Sequence, residues 1–353
     1  MGTKEDELYM QRCIQLAGLG TGHVSPNPMV GSVLVYEDRI IGEGYHEKYG
    51  EAHAEVNCIA SVKEADRPLI ERSVLYVSLE PCAHYGKTPP CSDLIIRNKI
   101  PTVVIGCRDP FVQVNGKGIE KLNAAGIEVT TGLLEAECKA LNKKFFTFHT
   151  KLRPYIILKW AQTANKKIAS TDNNRLIISN EITNRIVHKW RSEAAGILVG
   201  TNTILADDPQ LSNRLWSGKN PVRLAVDKHL KLTKNFKIFD TEAATVIFNY
   251  IKSTISSEIP VANGIYYYQI HKDQSLPLQI ADACYKLNIQ SILVEGGAKL
   301  LQSFIDENLF DEVRVITNKD MIVENGLDAP VLNAAKNINS VTTSLPDEIN
   351  IFL

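Results

Sequence analysis

The first half of the chain alternates between helical and strand-like spacing of its apolar residues. Apolar side chains recur three or four positions apart over residues 5–18, which predicts an amphipathic helix. Short runs rich in valine and isoleucine predict strands at 29–36, 73–79, 102–106 and 127–131. Helical spacing predicts further helices at 52–65, from Cys91 onward, at 118–125 and at 139–149. This alternation predicts an open α/β sheet with helices on both faces.

A domain boundary is expected near residue 150. Pro154 disfavours helix at Arg153 before it, and so ends the helix that precedes it. Later apolar runs predict strands at 155–160, 196–200, 222–227, 245–249, 264–270 and 291–295. Helices are predicted between them, at 180–194 and 276–287. The pattern predicts two α/β domains, 1–150 and 151–353, in a chain long enough for two full cores.

Composition excludes several classes of function. The 39 lysine and arginine residues nearly balance the 40 aspartate and glutamate residues, so the chain has no global basic field for nucleic acid. No apolar run approaches the roughly 18 residues of a membrane span, and the N-terminus lacks the pattern of a signal peptide. The odd number of cysteines, seven, favours reduced thiols and a cytoplasmic protein.

Four residues of the first half have the chemistry of a zinc deaminase site. His53, Cys82 and Cys91 offer one imidazole and two thiolates to a tetrahedral zinc ion, with the fourth position left to water. Zinc lowers the pKa of its bound water, and Glu55 is placed to move that water's protons. Zinc deaminases share the pattern His-x-Glu followed by Pro-Cys-x-x-Cys. Here eight residues separate the two cysteines, so the loop is longer than in that pattern.

Local context favours this interpretation but leaves a structural zinc site open. Cys82 follows an apolar strand-like run, and Cys91 begins a predicted helix, whose N-terminus favours a thiolate. A structural site would need a fourth protein ligand, for which His46 and His84 are the nearby candidates. Taken alone, the His-Ala-Glu segment is also typical of a solvated helix face, and the two cysteines are typical of unpaired thiols.

Three further segments suit a substrate or a cofactor, and each has a plainer explanation. The rigid turn around Asn27 presents an amide donor and acceptor to a pyrimidine edge, although the turn alone favours a structural role. Lys87 suits a phosphate or is simply solvated. Gly296 and Gly297 follow a buried strand and open a helix, so their N–H groups suit a cofactor phosphate, or they form an ordinary turn. The dinucleotide fingerprint Gly-x-Gly-x-x-Gly is absent.

Together these motifs resemble those of the bifunctional deaminase–reductases of bacterial riboflavin biosynthesis. The matching segments are collinear over nearly the whole chain, and the family uses the long spacing between the two cysteines. In the first half they are Pro26-Asn27-Pro28-x-Val30-Gly31, Gly44-Tyr45-His46, His53-Ala54-Glu55, Leu79 to Cys91, and Asp109-Pro110 with Gly116-Lys117-Gly118. In the second half they are Arg191, Leu198-Val199-Gly200-Thr201, Leu205 to Leu211, and Val294-Glu295-Gly296-Gly297.

The resemblance implies a fold, two cofactors and a substrate. It implies a three-layer α/β/α domain like that of cytidine deaminases, followed by an α/β domain like dihydrofolate reductase. It implies one Zn²⁺ per chain and NADPH as hydride donor. The first domain would deaminate a diaminopyrimidinone that carries a ribosylamino phosphate, and the second would reduce the ribosyl group to ribityl. The expected partner is this small-molecule pyrimidine ribosyl phosphate, with neither nucleic acid nor membrane, and we expect a homo-oligomer.

The resemblance also implies which residues surround each ligand. Glu55 is the implied catalytic residue, and His53, Cys82 and Cys91 are the implied metal ligands. The implied deaminase substrate residues are Asn27, His46, His84 and Lys87. The implied cofactor residues are Ala161, Ile177, Thr203, Asp207, Gly297 and Ala298. The implied residues around the sugar phosphate of the reductase substrate, where paired guanidinium groups suit phosphate, are Arg175, Arg191, Leu211, Arg214 and Glu295.

The chain departs from the family's usual pattern at three places in its second half. Residues 163–166 are Thr-Ala-Asn-Lys where the family commonly has Ser-Leu-Asp-Gly, and Asn165 is the best replacement for glycine at a positive φ. Ile177 replaces a frequent tryptophan, and Arg175 replaces a small hydroxyl residue. These departures leave open a deaminase that is joined to a degenerate reductase domain.

Two other functions are consistent with parts of the sequence. A deaminase of cytidine or of a tRNA base would share the zinc residues, but a tRNA enzyme should have a basic stripe and base-stacking aromatic residues. A zinc-stabilised module that only binds a nucleotide needs no acid/base residue at the metal, so Glu55 argues against it.

Overall fold

A computed structural model of the chain describes residues 3–85, 89–171, 176–255, 263–332 and 338–353. The chain folds as two compact units, Met1–Lys151 and Leu152–Leu353. Across the described ranges, every helix is too short or too polar to cross a membrane.

The first unit is a five-stranded sheet between layers of helices, as expected. Its helices are α1 (Lys4–Gly18), α2 (Ala54–Ala60), α3 (Cys91–Arg97), α4 (Lys117–Ala124), α5 (Glu135–Leu141) and α6 (Lys143–Lys151), with a 3-10 helix at Glu64–Arg72. Its strands are β1 (Gly31–Tyr36), β2 (Arg39–Tyr45), β3 (Val74–Leu79), β4 (Thr102–Cys107) and β5 (Glu128–Thr131). The strand order is β2-β1-β3-β4-β5, with β3, β4 and β5 parallel and β1 antiparallel to both neighbours.

Each face of this sheet has its own apolar core. Successive residues of a strand point to opposite faces, so Leu75 of β3 belongs to one core and Tyr76 to the other. The first core includes Ile95 of α3 and Leu122 of α4, and the second includes Met10 of α1. The predicted helices on both faces of an α/β sheet are therefore confirmed.

Two predicted helices have different bounds because polar side chains interrupt them. The helix predicted at 52–65 ends at Ala60, where the Ser61 hydroxyl donates to the Cys58 carbonyl and accepts the Glu43 N–H, each at 2.8 Å. The single helix predicted at 139–149 is instead α5 followed by α6. Asn142 separates them, and its side-chain amide pairs with both backbone groups of Met29 at 2.8 Å.

The second unit is built on a nine-stranded sheet. Its helices are α7 (Glu181–Glu193), α8 (Thr201–Asp207), α9 (Leu276–Lys286) and α10 (Ala298–Asp306), with a 3-10 helix at Lys237–Phe239. Its strands are β6 (Tyr155–Thr163), β7 (Lys167–Ser170), β8 (Gly196–Gly200), β9 (Val222–Val226), β10 (Thr245–Asn249), β11 (Ile265–Gln269), β12 (Ser291–Gly296), β13 (Glu312–Asn318), β14 (Gly326–Asp328), β15 (Ile338–Ser344) and β16 (Asp347–Phe352). The large sheet has the order β11-β10-β9-β8-β12-β6-β13-β16-β15, and β7 pairs separately with β14.

The topology of this sheet predicts a crevice at the carboxyl ends of two central strands. The adjacent strands β8 and β12 are parallel. The helix after β8 packs on one face through Ile204, whereas the helix after β12 packs on the other through Leu301 and Phe304. Where neighbouring parallel strands send their helices to opposite faces, α/β proteins bind their ligands. The crevice lies between the first residues of α8 and those of α10.

The positive φ expected at Asn165 is found at Lys166 instead, with φ 60°. The Asn165 side chain has another role, because its Oδ1 accepts the Thr163 hydroxyl at 2.7 Å and the Val323 N–H at 3.2 Å. Its Nδ2 donates to the Val323 carbonyl at 2.8 Å. Asn165 therefore ties the turn after β6 to the segment after β13, and a lysine takes the strained backbone position.

We expect Lys166→Gly to stabilise the chain slightly. The left-handed conformation costs an L-residue about 1–2 kcal/mol, and glycine loses about 0.5–1 kcal/mol more entropy on folding. The net gain in the free energy of unfolding should be about 0.5–1 kcal/mol, measured by urea denaturation. Lys234→Gly is the control, because Lys234 is exposed and its φ is negative, so glycine there should destabilise. Equal losses in both variants would contradict the strain assigned to Lys166.

Candidate active sites

The three expected zinc ligands lie together in the first unit. Nδ1 of His53 is 3.6 Å from Sγ of Cys82 and 3.3 Å from Sγ of Cys91. The ligand atoms of all three residues lie within 4.8 Å of one another, and no other histidine, cysteine or acidic residue of the described chain joins them. One imidazole and two thiolates at this separation fit a zinc ion, whose bonds to nitrogen and sulfur are about 2.0–2.3 Å long. The protein leaves the fourth position of the tetrahedron to a smaller ligand.

The ends of three elements position these ligands. His53 is the N-cap of α2, Cys82 lies just beyond β3, and Cys91 is the first residue of α3. The Cys91 N–H donates to Sγ of Cys82 at 3.3 Å, and the Ser92 N–H donates to the Cys82 carbonyl at 3.1 Å. Hydrogen bonds from the Cys91 side chain and from His53 lower the pKa of Cys82 despite its burial. The N–H at the start of α3 thus favours the thiolate form of Cys82, the form that binds zinc.

Glu55 is a buried carboxyl group beside the ligands. It lies in the first turn of α2, is 3% exposed, and contacts the Cys91 thiol. Burial raises the pKa of Glu55, and the neighbouring His53 offsets part of that rise. A carboxyl group whose pKa is shifted toward neutrality can both accept and return a proton, which is what general acid–base catalysis requires.

Asn27 and His46 form a pair beside His53. The Ala52 carbonyl lies 3.0 Å from Nδ1 of His46, so that nitrogen carries the proton. The other ring nitrogen, Nε2, accepts from the Asn27 amide at 3.2 Å. Burial lowers the pKa of His46, which keeps the ring neutral. His46 therefore holds the Asn27 side chain in place, and both of its nitrogens are engaged away from the metal.

The other expected deaminase residues lie in the loop between Cys82 and Cys91. Nδ1 of His84 is buried and has no hydrogen-bond partner within the described chain, an arrangement that a bound ligand would complete. Its ring meets Phe111 edge-on, with centroids 6.2 Å apart. Lys87 lies outside the described residues. Neither His46 nor His84 joins the three ligands within the described chain. The alternative of a purely structural zinc site therefore lacks the fourth protein ligand that it needs.

The crevice of the second unit brings several expected cofactor residues together. The φ of Gly296 is 136°, which side-chain-bearing residues rarely adopt. A Cβ atom on Gly297 would lie 3.2 Å from the Thr203 hydroxyl, so the turn before α10 faces α8 closely. Ala298 begins α10, and its free N–H groups suit a phosphate. These features fit a nucleotide cofactor.

The remaining expected cofactor residues lie on neighbouring elements. Asp207 is exposed at the end of α8, four residues after Thr203 and so on the same side of that helix. Ala161 is half-buried on β6, which pairs with β12. Ile177 is 72% exposed in the segment before α7.

Arg191 and Glu295 form a buried ion pair in the second unit. Nε and Nη2 of the guanidinium donate to the two carboxylate oxygens at 2.9 and 2.7 Å, and Nη1 donates to the Ser212 carbonyl. Burial alone would raise the pKa of Glu295, but Arg191 and Lys159 outweigh it and lower the pKa to about 2. The fork of Arg191 is thus occupied by Glu295 rather than open to a phosphate.

The segment that follows α8 carries two other expected residues of the reductase substrate site, Leu211 and Arg214. Leu211 has a φ of 52° and packs its side chain into the core, so only its backbone can face a ligand. Arg214 is exposed, and its N–H donates to Nδ1 of His188 at 2.9 Å. Arg175 lies outside the described residues.

Lys159 is a residue of this site that the sequence analysis missed. It lies on β6 close enough to Glu295 and Arg191 to shift its own pKa. Burial lowers the pKa of Lys159, and the Glu295 carboxylate offsets part of that shift. A lysine inside the apolar run 155–160 was the available signal, because a buried charge needs a partner.

We expect Arg191→Met to destabilise the chain strongly at neutral pH. Removing one partner of a buried pair leaves Glu295 without its closest cation, which costs about 3–5 kcal/mol. The folded pKa of Glu295, about 2, lies below its ordinary value, so the pair stabilises at neutral pH and loses its contribution as the pH falls toward 2. The deficit of the variant should therefore shrink on acidification, as urea denaturation at several pH values can measure.

The control for this prediction is Lys189→Met, which removes an exposed cation from the same helix. Surface pairs contribute about 0–1 kcal/mol, so the control should be nearly neutral at every pH. Equal stability of Arg191→Met and the original chain at neutral pH would contradict the prediction.

Two family models match this chain, one in each of its two units. Residues 3–107 match the cytidine and deoxycytidylate deaminase zinc-binding region, and residues 154–318 match the RibD C-terminal domain. The riboflavin biosynthesis protein RibD of Aquifex aeolicus is 41% identical over 312 residues, which cover 88% of this chain and 86% of that protein. The RibD protein of Bacillus amyloliquefaciens is 39% identical over 311 residues, covering 87% of this chain and 83% of its own.

Solved structures match over both units. A diaminohydroxyphosphoribosylaminopyrimidine deaminase/5-amino-6-(5-phosphoribosylamino)uracil reductase from Thermotoga maritima is 37% identical, with a TM-score of 0.85 over 98% of each chain. RibD of Acinetobacter baumannii is 28% identical, with a TM-score of 0.87 over 99% of each chain. These matches confirm the predicted fold of a cytidine-deaminase-like domain followed by a dihydrofolate-reductase-like domain. On this similarity over most of its length, the chain belongs to the RibD family of riboflavin biosynthesis proteins.

Proposed function

We propose that the chain catalyses two consecutive steps of riboflavin biosynthesis. The first unit hydrolyses an amino group from a diaminopyrimidinone that carries a ribosylamino phosphate, and the second reduces the ribosyl group to ribityl with NADPH. The observation that carries this proposal is the cluster of His53, Cys82 and Cys91, within 4.8 Å of one another, with the buried carboxyl of Glu55 beside them. A metal centre with its own acid/base group is suited to hydrolysis.

The deaminase half depends on a division of labour among its residues. Zinc, held by the three ligands, would lower the pKa of a bound water and so supply the nucleophile at neutral pH. Glu55 takes up the proton that this water loses and delivers protons to the ring and to the departing ammonia. Asn27, held by His46, binds the pyrimidine edge, and the unpartnered nitrogen of His84 binds the substrate from the zinc loop. We assign Lys87 to the sugar phosphate.

For the reductase half, we assign the substrate and the cofactor to the crevice of the second unit. When bound, NADPH would supply a hydride to the sugar carbon, and a proton from water would complete the two-hydrogen reduction. Its phosphates would bind the N–H groups at Gly297 and Ala298, with Thr203, Asp207, Ala161 and Ile177 around the nucleotide. We assign Lys159 and the buried Arg191–Glu295 pair to the sugar of the reductase substrate, with the guanidinium fork holding Glu295 and not the phosphate. We assign Leu211 and Arg214 to the rim of this site, and Arg175 to the same substrate.

One experiment tests both steps. Purified protein is incubated with the diaminopyrimidine phosphate, with and without NADPH, and the products are identified by mass spectrometry. Without NADPH, only the exchange of one amino group for oxygen should occur. With NADPH, the product should also gain two hydrogens. Deamination without reduction would leave a deaminase joined to a degenerate reductase, and neither reaction would refute the proposed function.

Ile177→Trp should tighten NADPH binding. The exposed isoleucine leaves room for the larger ring, and an aromatic contact adds about 0.5–1.5 kcal/mol beyond area burial, or roughly 2- to 12-fold in Kd. The Kd can be measured from NADPH fluorescence. Leu278→Trp, also at an exposed position, is the control and should leave the Kd unchanged. Equal changes in the Kd of the two variants would contradict the assignment of Ile177 to the cofactor site.

We also propose that the chain works in the cytoplasm as a homo-oligomer. Seven cysteines, all of them unpaired in the structure, support a reducing compartment. Light scattering coupled to size-exclusion chromatography measures the oligomeric state, and a monomer at micromolar concentration would contradict the proposal.

A further inference from the structure

The carboxylate of Glu80 is buried beside the zinc site. Glu80 lies directly after β3, two residues before Cys82, and is 4% exposed. Within the described chain, the hydrogen bonds of its carboxylate come from backbone N–H groups and not from a lysine or arginine. A buried charge without such a partner must be compensated by hydrogen bonds.

Four backbone N–H groups supply that compensation. Oε2 accepts the N–H of Asp109 at 3.3 Å and that of Gly116 at 3.0 Å. Oε1 accepts the N–H of Gly118 at 3.0 Å and that of Ile119 at 3.4 Å. One side chain thereby holds both the loop after β4 and the first turn of α4. These donors are 29 to 39 residues away in sequence, so the carboxylate adds side-chain bonds between segments that are far apart along the chain.

Glycine at 118 lets α4 approach the same segment closely. A Cβ atom there would lie 2.0 Å from the Pro81 carbonyl oxygen, so no other residue fits without moving the helix. The first turn of α4 therefore contacts the peptide bond between Pro81 and Cys82. The other side of Cys82 is held by α3, whose Cys91 N–H donates to its sulfur.

The same carboxylate is also connected, through Asp109, to the Phe111 ring. The Asp109 N–H donates to Glu80, and Oδ1 of the same Asp109 accepts the Phe111 N–H at 2.7 Å. Asp109 therefore fixes the backbone turn that leads to Phe111. The Phe111 ring lies edge-on to His84, in the loop between the two cysteine ligands. Glu80 is thus connected both to the segment of Cys82 and to the Phe111 ring beside His84.

We propose that Glu80 is a positioning residue of the deaminase, which holds Cys82 in its working geometry through α4 and the Phe111 ring through Asp109. This inference rests on the deaminase function proposed above. A carboxylate is required because all four partners are donors. In glutamine, one of the two acceptor oxygens is replaced by an NH₂ group, which is a donor. That donor would then lie against one pair of backbone N–H groups, which are donors as well. Since displacements near 1 Å can cost about 100-fold in rate, the effect should fall on turnover.

The test uses three full-length variants. Glu80→Gln removes one of the two acceptor oxygens. Gly118→Ala leaves Glu80 intact but displaces α4 from the Pro81 carbonyl. Glu120→Gln, an exposed site on α4, is the matched control. For each variant we would measure zinc content, deaminase kcat and KM, and reductase activity on pre-deaminated substrate. The thiolate-to-metal absorption of the cobalt(II)-substituted protein gives a readout of ligand geometry that does not depend on activity.

Glu80→Gln and Gly118→Ala should each keep one zinc per chain and full reductase activity, and lose roughly 10- to 100-fold in deaminase kcat. The cobalt absorption should shift in both and stay unchanged in Glu120→Gln. Normal kcat with an unshifted cobalt spectrum would overturn the proposal, as would a loss of zinc in parallel with activity. If Glu80→Gln does not fold, Gly118→Ala decides by the same measurements. Absence of deaminase activity in the unmodified chain would instead refute the proposed function.

Discussion

Glu55→Gln is expected to abolish most deaminase activity while leaving zinc in place. The carboxyl group is not among the three ligands, and it is the buried acid/base group beside them. Glutamine has nearly the same shape but cannot take up or return a proton at working pH. A positioned acid/base contributes about 10²- to 10⁴-fold, so ammonia release should fall by that factor. Zinc content and ammonia production are the two measurements.

Two controls make this expectation specific. Glu64→Gln changes an exposed carboxylate in the 3-10 helix after α2 and should leave ammonia release unchanged. Reduction of pre-deaminated substrate by Glu55→Gln should be normal, because the residues assigned to the reductase site belong to the second unit. Near-normal ammonia release by Glu55→Gln with its zinc intact would remove Glu55 from the mechanism.

Replacing both Cys82 and Cys91 with serine should reduce the zinc content from one per chain to nearly none. A neutral hydroxyl is a poor zinc ligand, and His53 alone cannot hold the ion in a tetrahedral site. Because metal binding is coupled to folding, the first unit should also lose stability and all deaminase activity. Metal analysis after dialysis and thermal denaturation with added zinc measure both effects.

The matched control for this double variant is Cys58→Ala. Cys58 is a buried thiol of α2 outside the ligand cluster. Its replacement should lower the stability slightly through lost packing, but it should leave the zinc content unchanged. His84→Ala extends the comparison, because its zinc should also stay at one equivalent. A double cysteine variant that keeps one zinc would refute the ligand assignment, and zinc loss in His84→Ala would make the site a structural one.

The reductase half depends more on long-range contacts than the deaminase half does. Arg191 and Glu295 are 104 positions apart, yet their side chains meet as a buried bidentate pair, with Lys159 of a third element beside them. In the deaminase, by contrast, the three metal ligands fall within 39 consecutive positions of the chain. Sequence motifs therefore identify the zinc site more directly than the reductase site.

The sequence by itself determined the zinc chemistry, because the ligand types and their places at helix starts are local properties. His53 and Glu55 share the start of α2, and Cys91 begins α3, as the apolar spacing predicted. The same spacing predicted the α/β alternation and helices on both faces. The strand at Arg39–Tyr45 escaped prediction, since its two glycines and polar residues interrupt the apolar pattern.

Only the tertiary structure decided which polar groups meet. It placed His46 behind Asn27 rather than on the metal, gave the positive φ to Lys166 instead of Asn165, and brought Lys159 to Glu295. It also set Glu80 among four N–H groups from a segment some thirty residues later. The physical reason is that a buried polar group must find its partner in space, and local spacing along a chain carries no information about which distant segment supplies it.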